Sequence, residues 1–231
     1  MNDSKREEHL HDLRLVGESS SNGGIFQKVH VTGDAEIHGS LDCRTFKCTG
    51  NTKVDGSLRS DSIRTTGNLE IEGELHVAKM RLTGEIRAKG SVSCEELHVF
   101  GNTIANRGIQ AEQLRLKGGI QTEGMLNAER LELRMIGRSK TGEIAGTSID
   151  IAPHMAQKWT PWIRLGETPE LEASVIEGDV IRLENTQADI VRGGDVTIGP
   201  GCRIRLVEYS IACHRDKQAE VGQSVKIDPP L

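Results

Sequence analysis

Between Gly33 and Leu133 apolar and polar residues alternate in short runs, and the apolar ones return in fixed columns. Counted from the glycine that opens each run, the eighth position reads Leu41, Leu58, Leu75, Val92, Ile109 and Leu126, and the thirteenth reads Phe46, Ile63, Met80, Leu97, Leu114 and Leu131. The second (Ala35, Thr52, Leu69, Ile86, Thr103, Ile120), the fourth (Ile37 to Thr122) and the fifteenth (Cys48 to Leu133) are smaller or mixed and complete an interior. Alternation with period two marks strands with one buried and one wet face, and it excludes helices.

The opening glycines are Gly33, Gly50, Gly67, Gly84, Gly101 and Gly118, each 17 positions after the last. A second glycine lies six positions into the unit at Gly39, Gly56, Gly73, Gly90 and Gly124, with Arg107 breaking that series. If each unit makes one turn of a solenoid, equivalent residues stack and each strand pairs with its counterpart about 4.8 Å away. The expectation is an all-β, single-stranded parallel β-helix. An odd period forces one slip per turn, visible where inward positions run by twos to Cys43, Ser60, Val77, Cys94, Ala111 and Ala128 and then jump three. The skipped residues, such as Asp61 with Ser62 and Glu95 with Glu96, should bulge at a corner. Glycines at the other two bends make three corners and a triangular cross-section.

The outward columns carry charge. The third position reads Glu36, Lys53, Glu70 and Arg87, alternating in sign, which favours one stacking register. Another outward column, Lys47, Arg64, Arg81, His98 and Arg115, is flanked by the acidic corner residues Asp61, Glu95, Glu112 and Glu129, and reads as a solvated, salt-bridged face able to bind an acidic partner. Past Gly118 the phase slips by one, so Gly142, Ile144, Gly146, Ile149 and Ile151 arrive one position late.

Residues 152–172 break the pattern with three prolines and both tryptophans and read as an inserted loop. Trp159 and Trp162 there are candidate contacts for a partner or a membrane surface, or a cover for the β-helix. Alternation resumes at Ala173 to Leu183 and at Val196 to Tyr209, predicting two or three further turns. The resulting division is a disordered tail over 1–24, β-helix over 25–151, the loop over 152–172, more turns over 173–214 and a disordered tail over 215–231.

Composition fits a thin aliphatic core: aromatics are 3% and hydrophobics 35%, with 26 glycines. A net charge of -5 with cations spread along the chain argues against nucleic acid as a partner. The N-terminal segment has no apolar run of signal-peptide length, so a cytoplasmic location is expected. Cys43, Cys48, Cys94, Cys202 and Cys213 form no CxxC pair, Cys213 and His214 lack a third catalytic partner, and His38, His76 and His98 occupy different columns. Neither a cofactor, a metal site nor enzymatic activity is expected.

These glycine-punctuated units, flanked by polar tails, resemble the bactofilins, a bacterial cytoskeletal family. The resemblance covers roughly residues 25–151, and the segment VTIGPGCRIRLVEYS looks like the C-terminal part of the longer, two-segment members of Gram-positive bacteria. It implies a right-handed β-helix that polymerises end to end without nucleotide and serves as a platform for membrane-associated, envelope or motility machinery. The implied partners are further copies of the chain, a bactofilin paralogue and membrane-associated proteins that would hold it at the inner face of the membrane. The short apolar N-terminal segment of many bactofilins is missing, which argues against direct membrane binding.

A β-helix ends in open backbone ladders that must be capped or paired. The expected polymerisation surfaces are the first rung (Phe26, Val29, Val31) and the last (Val207, Tyr209, Ile211). Competing readings are a non-polymerising β-helical binding module, a polysaccharide-cleaving β-helix and an acyltransferase of the left-handed type. The acyltransferase is suggested by the single hexapeptide-like stretch VTIGPGCRI but needs a period of about 18, from three hexapeptides per turn.

Overall fold

The structure, a computed structural model, describes residues 10–154 and 168–228. Every regular element among them is a strand: β1 (Leu13–Val54), β2 (Leu58–Ile71), β3 (Leu75–Ala88), β4 (Val92–Ala105), β5 (Ile109–Thr122), β6 (Met125–Met135), β7 (Ser139–Lys140), β8 (Glu143–Pro153), β9 (Leu171–Leu183), β10 (Thr186–Ile198), β11 (Arg203–Arg215) and β12 (Glu220–Lys226). All pairings are parallel, and successive strands stack into a β-solenoid of about 10 turns. No helix among the described residues is long and apolar enough to cross a membrane.

The lap expected from the glycine spacing is the observed register from β1 to β6: Leu41 pairs with Leu58, Leu58 with Leu75, Leu75 with Val92, Val92 with Ile109 and Ile109 with Leu126. The ladder skips the eleventh position, passing from Cys43↔Ser60 to Thr45↔Ser62, which places the anticipated corner at Arg44 and Asp61. Each expected interior column is buried from end to end, with the eighth and thirteenth positions at 2% exposure or less. Fully burying one such aliphatic side chain contributes about 1.5–3 kcal/mol. A core of aliphatic layers therefore suffices without aromatic rings.

The opening glycines have a steric reason. Each has positive φ, from 111° at Gly33 to 153° at Gly118. A Cβ there would also strike the carbonyl of the glycine one turn earlier, from Gly50 against Gly33 through Gly118 against Gly101. Where Arg107 replaces the second glycine, the next residue, Gly108, has a positive φ of 119°.

Beyond β5 the lap length varies. Gly118 still pairs with Met135 in the regular register, and Leu126 pairs with Ile144 rather than Glu143, so the phase slip expected past Gly118 falls after Met135. Glu143 pairs with Val175, a longer lap in which β8 ends at Pro153 and β9 begins at Leu171. Most of the expected loop lies between those two points, outside the described residues. Leu171 then pairs with Thr186 and Gln187 with Arg203, both laps shorter than the regular repeat, and the pairing of Arg203 with Glu220 restores it. The later turns are β9 to β11, followed by the partial turn β12.

Both expected tails are corrected in part. β1 begins at Leu13, so residues 13–24 are the first turn of the solenoid, with Leu15 buried. β12 lies within the expected C-terminal tail and pairs with Arg203 to Tyr209. Polar composition misleads in both places because an outer strand needs only a few inward apolar residues, while its backbone ladder supplies the remaining interactions.

Candidate assembly surfaces

The ends of the solenoid place the predicted polymerisation residues differently from the expectation. Gln27 N donates to His11 O at 2.9 Å, so the second turn begins next to Phe26 and carries Val29 and Val31 over the first. Val29 and Val31 are buried, and Phe26 packs partly buried against the core. Among the described residues the outermost turn instead carries Leu13 and Leu15 inward, with Val16 and Ile25 at 62% and 63% exposure.

At the other end β12 lies over Val207, which is buried, and Tyr209, which is partly buried. Neither is a terminal residue. β12 covers only part of β11, however, and Ile227 N closes the ladder on Tyr209 O at 2.9 Å. From Ile211 to Arg215, β11 is the last strand among the described residues, with Ile211 at 72% exposure and Cys213 packed against the core. Three of the most exposed large apolar residues, Val16, Ile25 and Ile211, thus sit on the two terminal turns. Sequence reasoning missed Val16 because the segment up to Gly24 reads as a disordered tail, and it left Ile25, the next residue, out of the expected terminal rung; the signal that could have found the first turn is Gly17, which lies below Gly33. Trp159 and Trp162 lie outside the described residues.

The alternating outward charges hold in one place and not in another. Lys53 lies 3.5 Å from Glu36 across one lap and 3.2 Å from Asp55. Arg87, expected to meet Glu70, turns to Glu85 at 2.5 Å within its own strand. His38 shares a hydrogen bond of 2.9 Å with Asp55, whose carboxyl is held below its ordinary range first by that contact and then by Lys53. Glu36, His38 and Asp55 have their ligating atoms within 4.8 Å of one another, but all three are exposed and the Lys53 ammonium already stands between the carboxylates.

The thiols are built as small apolar residues. Burial pushes Cys43 and Cys202 up to about 11 and Cys94 up to about 12, so none is a thiolate near neutrality. Cys213 is also raised by burial. It faces inward, and strand alternation turns the exposed His214 to the opposite side, so these neighbours form no nucleophile and base pair.

A polar groove follows the C-terminal half along Gln121, Lys140, Glu172, Gln187 and Arg203, which stack turn upon turn. Its charges are largely matched: Lys140 meets Glu172 at 3.1 Å, and Arg203 pairs with Glu170.

Two curated proteins of Bacillus subtilis (strain 168) are similar to part of this chain. The uncharacterized protein YhbE is 51% identical over 65 residues, 28% of this chain and 27% of that protein. The uncharacterized protein YhbF is 47% identical over 58 residues, 25% of each. The chain thus covers about a quarter of the length of these relatives. No family model matches the chain, and no solved structure matches it significantly.

Proposed function

We propose that this chain is a self-assembling cytoskeletal scaffold of the bactofilin kind, whose solenoids stack end to end into filaments without nucleotide. One observation carries the reading: both ends finish on parallel strands over the aliphatic core, with exposed Val16 and Ile25 on one terminal turn and Ile211 on the other. Pairing two ends continues the ladder and removes these side chains from water, both favourable. The resemblance of the glycine-punctuated repeat to bactofilins supports the same reading and adds recruitment of envelope or motility machinery at the inner face of the membrane. In this reading the chain is cytoplasmic, reaches the membrane through partner proteins, and performs no catalysis. Protonated, buried thiols and the separation of Cys213 from His214 favour a scaffold over a thiol enzyme.

The test is negative-stain microscopy of purified protein without nucleotide, repeated with Ile25→Arg and with Ile211→Arg. Filaments that disappear in both variants, with circular dichroism unchanged, support the proposal. Monodisperse wild-type protein at high concentration overturns it in favour of a binding module.

A further inference from the structure

Four cations and a histidine stand directly above one another on a single face of the solenoid. Lys47 pairs in register with Arg64, Arg64 with Arg81, Arg81 with His98 and His98 with Arg115. The expectation from sequence is a salt-bridged face, and the structure shows otherwise. Arg115 reaches Glu132 at 3.7 Å, while Lys47, Arg64 and Arg81 make no ion pair among the described residues. Like charges stacked on successive strands oppose the register that stacks them. Nothing in the coil requires this column to be basic, because it points to water and the neighbouring outward column is Thr49, Thr66 and Thr83.

Thr66 and Thr83 leave a shallow trough beside Arg64 and Arg81, which runs on past Phe100 and Lys117, whose ammonium lies 5.5 Å from the ring, to Glu132 and Arg134. The adjacent corner of the same coil is the reverse in sign. At the eleventh position the ladder is interrupted, and Glu95, Glu112 and Glu129 stand there on three consecutive turns. All three are exposed and make no ion pair among the described residues; the nearby Lys79 binds Glu96 at 2.8 Å instead.

We propose that the acidic corner of one copy seats in the basic trough of a second copy, joining solenoids side by side. The occupant is assigned by charge and above all by pitch. A second copy repeats its carboxylates at the same rise per turn as the trough repeats its cations, so every pair is satisfied together. Parallel neighbours offset by three turns, about 14 Å, set Glu95, Glu112 and Glu129 against Lys47, Arg64 and Arg81. The two surfaces differ, so the contact is heterologous and propagates into ribbons rather than closing as a dimer. It builds on the scaffold reading by adding a lateral contact to the end-to-end one.

Two charge-reversed proteins test it: Arg64→Glu with Arg81→Glu, and Glu112→Lys with Glu129→Lys. In low-salt sedimentation velocity each variant alone should lose lateral association, its dissociation constant rising by at least about tenfold. An equimolar mixture should recover it, since both contacts between unlike copies are again of opposite sign. Added salt should dissolve the wild-type association. Variants that associate like the wild type, or a mixture that stays apart, would overturn the proposal. So would a wild type that remains unassociated at low salt yet binds polyphosphate through Arg64 and Arg81, which would assign the trough to a linear polyanion. Microscopy separates this outcome from failure of the end-to-end reading: charge reversal leaves single strings intact, whereas lateral association without strings keeps the ladders and removes the axial contact.

Discussion

A Cβ atom placed on Gly101 would overlap the carbonyl oxygen of Gly84, its partner one turn earlier in the solenoid. The same holds for Gly84 against Gly67 and for Gly67 against Gly50, so the glycine column is a path along which backbones approach too closely for any side chain. Both requirements, positive φ and close approach, fall on one residue per turn.

Gly39 separates the two requirements. Its φ is +92°, but a Cβ there meets nothing within 4 Å. Gly39→Ala should cost only the conformational penalty, about 1 kcal/mol. Gly84→Ala adds the backbone clash and should cost more than about 3 kcal/mol. Denaturant midpoints of the two variants provide the check; equal shifts would mean that φ alone selects glycine.

Thr103 is buried with its hydroxyl unpartnered, between Ile86 and Ile120 on the adjoining turns. Thr103→Val keeps the shape and removes a desolvated donor, and should stabilise by about 1 kcal/mol. The same direction is expected for Thr65→Val, whose hydroxyl is equally unpartnered between Cys48 and Leu82. A lower thermal midpoint in either variant would show that the hydroxyl has a partner in solution.

Alkali should destabilise the fold through its thiols. Burial raises Cys94 from the ordinary 9.0 to about 12. Its contribution to stability is fully present below pH 9 and is lost as pH rises towards 12, because over that window the unfolded chain releases a proton that the folded chain retains. The loss is about 1.4 kcal/mol per pH unit for one such group. Cys94→Ala should flatten the alkaline limb of the stability curve by that slope, and an unchanged limb would refute the assignment. Alkylation at neutral pH should likewise spare Cys43, Cys94 and Cys202 until the chain unfolds.

The middle of this fold is legible because each structural demand repeats in one column. Leu41 to Leu126 and Phe46 to Leu131 announce the core, and the glycines announce the laps. The pattern fails where a lap changes length or a column changes residue. Met135 stands where the seventh opening glycine would be, which hides the start of the lap in which the slip falls. The first turn is hidden because Ser19, Ser20, Ser21 and Asn22 read as a disordered segment, although the parallel ladder accepts any residue whose backbone can pair. That error moves the expected contact surface one turn inward, from Val16 and Ile25 to Phe26, Val29 and Val31. The basic column is visible in the sequence, but its lack of partners is not, since pairing depends on which way Glu96 and Glu132 turn.

End-to-end stacking is tested most directly by the axial repeat of aligned filaments in fibre diffraction. About 10 turns per chain at about 4.8 Å each predict a strong meridional reflection at that rise. A subunit repeat of about 48 Å, the product of that rise and the number of turns, should accompany it for head-to-tail contacts, or twice that for head-to-head. Filaments without the turn reflection along the axis, or a subunit repeat unrelated to the length of one solenoid, would contradict it.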